Sequence, residues 1–113
     1  MPGISIHVVD VSRGVVAEGM RVELFQGESC LASGHLGANG LLEHPALKQR
    51  FAAGHYHAVL HVADYYRKAG VALPAHPFLE VVRYDFGIAE PAQHYHLPFK
   101  CTPWGYSCFR GGA

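Results

Sequence analysis

Two pairs of histidines, His55/His57 and His94/His96, are each separated by one residue in a chain of 113 that carries nine histidines. Imidazole has the unperturbed side-chain pKa nearest neutrality, so this surplus points to metal binding, acid/base catalysis or pH response. In an extended segment, residues i and i+2 project to one side, and an HxH pair can converge there on a single ligand or reactant. Neither HExxH nor a cysteine pair accompanies the histidines, and nothing in the spacing makes the two pairs neighbours. A general-base or hydrogen-bonding role for His94/His96 therefore leads. A metal site and solvated structural histidines remain as alternatives. His35, His44, His55, His57, His61 and His76 read as ordinary surface or boundary positions.

The elements that must position these groups are short strands. Ile4 to Asp10 alternates, with Ile4, Ile6 and Val8 on one face and Ser5, His7 and Val9 on the other. Further strands are expected at Met20–Phe25, Cys30–His35, Gly54–Val62, Phe78–Phe86, Gln93–Cys101 and Tyr106–Arg110. Turns fall at Ser12-Arg13-Gly14, Gly27-Glu28-Ser29 and Gly37-Ala38-Asn39-Gly40, and a short helix at 63–70 ends on Gly70. Such spacing argues for an all-β, two-sheet sandwich with one short helix, a single domain over residues 1–113. In the strand from Gln93, Tyr95, Leu97, Phe99 and Cys101 form the apolar face. His94, His96, Pro98 and Lys100 form the other. His7 is likewise a mid-strand polar residue facing away from the core. A core-facing Cys101 thiol has little nucleophilic reactivity.

Composition excludes several classes. Lys plus Arg equals Asp plus Glu at nine each, which leaves no basic excess for nucleic acid or anionic lipid. No apolar run approaches the roughly 18 residues of a membrane span, and no secretory signal is visible. Cys30, Cys101 and Cys108 are odd in number and without CxxC spacing, as expected of reduced thiols in a cytoplasmic protein. Half of the residues are hydrophobic and 16% charged, a low charge content for a small monomer, so an oligomer is expected.

Ile6-His7-Val8-Val9-Asp10, the Asn39-Gly40 turn, Asp64-Tyr65-Tyr66-Arg67-Lys68 and the tail His94-Tyr95-His96-Leu97-Pro98, Trp104-Gly105-Tyr106-Ser107, Arg110-Gly111 occur here in order. Together they resemble the transthyretin-like 5-hydroxyisourate hydrolases along essentially the whole chain. The resemblance implies a two-sheet sandwich and a homotetramer, two dimers around a central channel. Active sites built from more than one subunit lie in that channel. It implies hydrolytic opening of the six-membered ring of 5-hydroxyisourate, a small purine-derived substrate. The two catalytic histidines correspond to His7 and His96, Arg110 orients the site, and Tyr106 lies among the substrate contacts. Water is the only nucleophile required, and no cofactor or metal is called for.

Three positions depart from that pattern. The family's Asp-Gly-Arg turn reads Asn39-Gly40-Leu41, and its closing Tyr-Arg-Gly-Ser reads Phe109-Arg110-Gly111-Gly112. A cation and two hydroxyls are replaced by Leu41, Phe109 and Gly112. A decayed enzyme is one reading, but His7, His96 and Arg110 remain. A substrate with methylated ring nitrogens is the other, since such a ring offers fewer N–H donors and more methyls. Lys100, on the face of His96, is a candidate for the missing charge, and Arg50 is a weaker one. Ordinary urate-pathway hydrolysis and non-catalytic binding of a planar ligand are the competing functions.

Overall fold

The computed structural model describes residues 2–112. The elements run β1 (Gly3–Asp10), β2 (Val15–Val16), β3 (Arg21–Gln26), β4 (Ser29–His35), a 3₁₀ turn (Pro45–Lys48), β5 (Gly54–Leu60), α1 (Val62–Lys68), β6 (Val82–Ile88), β7 (His94–Thr102) and β8 (Gly105–Cys108). They form two four-stranded sheets, ordered β2-β1-β7-β8 and β4-β3-β5-β6. The alternation read from the sequence is the packing pattern. Ile4, Ile6 and Val8 of β1, Leu97 and Phe99 of β7, and Val22 and Leu24 of β3 are buried in the layer between the sheets.

One pairing is parallel, and it brings the chain's beginning to its end. β1 lies beside β7 in continuous register from Gly3 opposite His94 to Asp10 opposite Cys101. The other strand pairs are antiparallel. Where β1 leaves the sheet, Asp10 is fully buried. Its carboxylate accepts hydrogen bonds from Tyr66 Oη (2.7 Å), Tyr65 Oη (2.9 Å) and Ser12 Oγ (2.6 Å). Burial raises the Asp10 pKa, but these bonds outweigh it and hold the carboxyl below its usual range. The Asp-Tyr-Tyr segment of α1 is thus a structural clamp on β1.

Three expected elements differ. The strand read at Phe78–Phe86 begins only at Val82 and runs to Ile88. Pro74 and Pro77 lack N–H donors, and the chain before β6 is tied to α1 instead. Glu80 O accepts from Ala63 N at 3.0 Å, while Arg67 donates to both Glu80 carboxylate oxygens at 3.2 Å. β5 stops at Leu60, and the helix starts at Val62. β8 ends at Cys108 instead of Arg110, although an isolated bridge between Gly111 and His96 continues its register.

Candidate active site

The outer face of the β2-β1-β7-β8 sheet gathers four polar side chains from the two ends of the sequence. The parallel register sets Ser5 opposite His96 and His7 opposite Pro98. Ser5 Oγ lies 2.8 Å from His94 Nε2 and 2.5 Å from His96 Nδ1, so one hydroxyl joins the two imidazoles of the HxH pair. His7 Nε2 donates to Asn39 O at 2.9 Å. A carbonyl oxygen only accepts, so Nε2 carries a hydrogen and Nδ1 is the uncommitted nitrogen.

Each of His7 and His96 has a glycine pressed against its ring. Gly40, at φ +78°, follows Asn39 in the turn closed by the Leu41 N–H to Asn39 Oδ1 bond (3.0 Å). A Cβ on Gly40 would stand 3.0 Å from His7 Nε2 and 2.9 Å from Val16 Cβ. A Cβ on Gly111 would stand 2.6 Å from His96 Cδ2, and the Gly111 N–H donates to His96 O at 2.8 Å. Both glycines let backbone approach an imidazole more closely than any other residue could. Burial lowers the pKa of half-buried His96, and the neighbouring His7 and His94 lower it further. His96 is therefore neutral at physiological pH and able to accept a proton.

The fold brings some of the expected residues together and separates others. Leu41 bridges to His7 through its backbone, and its side chain lines a cavity of about 440 Å³ with Ser5, His94 and Lys48. Lys48, a cation that local sequence pattern does not single out, lines the same cavity. Lys100 is exposed on the histidine face, opposite Val9 and Ser107. It stands two residues, about 7 Å, beyond the His7–Pro98 pair, and four residues from His96. The register from β7 to β8, extended to the His96–Gly111 bridge, turns Phe109 toward Pro98 on the histidine face, where it is exposed.

The same alternation turns Arg110 and Tyr106 to the other face. The Arg110 guanidinium lies 3.9 Å above the Tyr95 ring and donates to Gln93 Oε1 (2.9 Å) and His94 O (3.2 Å). Tyr106 lies opposite Cys101 and packs 6.4 Å from Phe99. Within one protomer neither joins the histidine cluster. Gly112 has open space where a Cβ would be, unlike Gly111.

Among the described residues no three His, Cys, Asp or Glu side chains are grouped as a metal site. The two HxH pairs lie in different sheets, and His57 stacks on Phe25 with ring centroids 5.0 Å apart. Ser5 and Lys48 are the residues that sequence reasoning missed. The available signal for Ser5 was that it shares a strand face with His7, two positions away.

Fold and site together define an all-β sandwich that gathers a serine and three histidines on an outer sheet face, close to both chain ends. The chain belongs to the HIUase/Transthyretin family, whose pattern it matches over residues 4–111. It is 38% identical over 113 residues to 5-hydroxyisourate hydrolase 2 of Rhizobium meliloti, covering 96% of this chain and 94% of that one. Identity to the 5-hydroxyisourate hydrolase of Ralstonia nicotianae is 36% over 119 residues, covering 98% and 99%. Among solved structures, Klebsiella pneumoniae 5-hydroxyisourate hydrolase superposes with a TM-score of 0.83 at 30% identity, covering 99% of this chain and all of that one. An (S)-allantoin synthase structure gives a TM-score of 0.89 at 31% identity, but this chain spans only 43% of its length.

Proposed function

We propose that the protein is a hydrolase that opens the six-membered ring of a 5-hydroxyisourate-type purine oxidation product. The observation that carries this reading is the clustering of half-buried His96 with Ser5, His94 and His7 on one sheet face, in a chain whose relatives are named for that hydrolysis. His96 accepts a proton from water as the oxygen attacks a ring carbonyl. The ring C–N bond then breaks, and the nitrogen leaves with a proton returned from the imidazolium. His7, held through Nε2 by Asn39 O, presents its other nitrogen to the substrate from the adjacent strand.

Ser5, His7, His94 and His96 are only partly buried in a single chain, and a second copy packed on this face would exclude the remaining water. We therefore infer a homotetramer of two dimers around a channel, working in the cytoplasm without a cofactor. In that assembly Arg110, Tyr106, Phe109 and Gly112 act from the tail segment, and Arg110 reorients toward the channel to meet substrate.

The substrate we infer is N-methylated, of the trimethylated type derived from caffeine-like xanthines. Leu41, Phe109 and Gly112 offer no side-chain hydrogen bonds to ring N–H groups. A polar site would leave partners unsatisfied opposite a methylated ring, at about 1–3 kcal/mol each. An apolar one gains about 0.8 kcal/mol per buried methyl carbon. Lys48, lining the cavity with Leu41, is better placed than Lys100 to supply the positive charge. The test generates plain and trimethylated 5-hydroxyisourate in situ and follows ring opening optically. Faster turnover of the methylated compound is expected. Equal or faster turnover of the plain compound defeats the methylation claim, leaving ordinary urate-pathway hydrolysis.

A further inference from the structure

Ser5 occupies a position that its chemistry makes consequential. A serine hydroxyl has one hydrogen to donate, and it stands within hydrogen-bond distance of two imidazole nitrogens, His94 Nε2 and His96 Nδ1. In a relay it donates to one and accepts from the other, so that its single hydrogen joins the two rings. The direction of this single O–H therefore fixes which nitrogen of His96 bears hydrogen, and it fixes His94 at the same time.

Two arrangements are possible. If Ser5 donates to His94 Nε2, it accepts from His96 Nδ1–H, and His96 Nε2 carries the lone pair of a base. If Ser5 donates to His96 Nδ1, it accepts from His94 Nε2–H, and His96 Nε2 bears a hydrogen and is a donor. Hydrolysis needs a base while water attacks and a donor when the ring nitrogen leaves. The two states of the hydroxyl match those two needs.

We propose that Ser5 is a positioning residue that joins His94 to His96 as a reversible proton relay. The proposal rests on the hydrolase reading and adds to it a place for the proton between the two steps. During attack, His96 Nε2 takes a proton from water as the C–O bond forms, while Nδ1–H passes its proton to Ser5 Oγ. Ser5 in turn passes its own hydrogen to His94 Nε2. His96 is then neutral again with a hydrogen on Nε2, and the positive charge rests on His94. In the second step His96 Nε2–H protonates the ring nitrogen as the C–N bond breaks. The proton on His94 Nε2 returns through Ser5 to His96 Nδ1, restoring the starting state. No oxidant, metal or second reactant is needed.

The surroundings favour moving the charge off His96. Burial, and after it the neighbouring His7 and His94, oppose an imidazolium at His96. The Gly111 segment closes over its ring. His94 lies at the start of β7, beside a cavity whose lining includes Glu43 as well as His44 and Lys48. Its carbonyl is also held by Arg110. Among these groups Glu43 is the one that supplies negative charge.

Four variants and one spectrum test the relay. Ser5→Ala and His94→Phe should each lower kcat by about 10²-fold with KM within about twofold, and the double variant should lose no more than either alone. Ser5→Thr keeps the hydroxyl and should recover most of the rate. Independently of any substrate, the ¹⁵N resonances of His96 in the full-length protein report its tautomer. The wild type should show both ring nitrogens at averaged positions, and Ser5→Ala and His94→Phe should shift them alike. Additive kinetic losses, or a His96 spectrum indifferent to Ser5→Ala, overturn the relay. Should no variant and no wild-type preparation hydrolyse either substrate, the hydrolase reading fails, while the His96 spectrum still decides the coupling.

Discussion

Gly111→Ala is the substitution by which the geometry of the site can be tested most sharply without touching a functional group. The added methyl would stand 2.6 Å from His96 Cδ2 and 3.2 Å from Pro98 Cδ. Carbon atoms pack at about 3.5–4.0 Å, so ring and backbone must separate by about 1 Å. The ring cannot simply swing aside, because Nδ1 is held by Ser5 and the Gly111 N–H is bonded to the His96 carbonyl. Overpacking of this kind costs about 1–3 kcal/mol of stability, so a lowered melting temperature is expected. A 1 Å displacement of a catalytic group costs about 10²-fold in rate, and the loss should appear in kcat. Gly112→Ala, where a Cβ meets nothing within 4 Å, is the control and should leave the monomer fold undisturbed. The assay is ring opening under saturating substrate, paired with thermal melting. A Gly111→Ala protein with wild-type kcat would refute the claim that the tail glycine fixes His96.

Three further outcomes are expected. The acid limb of kcat/KM should fall below the ordinary histidine value of 6.5, because burial, with His7 and His94 beside it, lowers the His96 pKa; a limb above 6.5 in a pH–rate profile would contradict a neutral His96. Asp10→Asn should lower stability by about 1–3 kcal/mol. Its effect should also be pH-dependent: the native Asp10 pKa lies below 3.8, so its contribution is complete above that value and is lost as pH falls through the native pKa. Denaturant titrations in acid should show the wild-type advantage vanishing there. Leu41→Arg should move preference toward the plain substrate by about 10–200-fold in relative kcat/KM, measured on the two hydroxyisourates in parallel.

The histidine face was legible because alternation alone decides which residues of β1 and β7 share a side. Ile4, Ile6 and Val8 lie buried opposite Ser5 and His7, and Leu97 and Phe99 opposite His94 and His96. What alternation could not reveal was the neighbour across the strand gap. Ser5 meets His96 only through a parallel pairing 91 residues apart, and no local pattern encodes that register. Lys48 was invisible for a related reason, since a short 3₁₀ turn carries it to the cavity that Leu41 also lines. The tail differs in the opposite sense within one protomer. Arg110 belongs to the motif, yet the register that sets Gly111 on His96 turns the preceding side chain to the Tyr95 face. The displaced start of β6 follows from long-range bonds of Glu80 to α1, which strand propensity does not contain.

In the proposed reaction His96 performs the acid/base chemistry on a hydroxyisourate ring. That role is tested most directly by comparing wild-type protein with His96→Asn in stopped-flow ring opening of freshly generated hydroxyisourate, with folding of both checked by circular dichroism. Clear acceleration over the spontaneous reaction is expected of the wild type, and decay at the spontaneous rate with His96→Asn. A folded His96→Asn protein that retains wild-type turnover would contradict it.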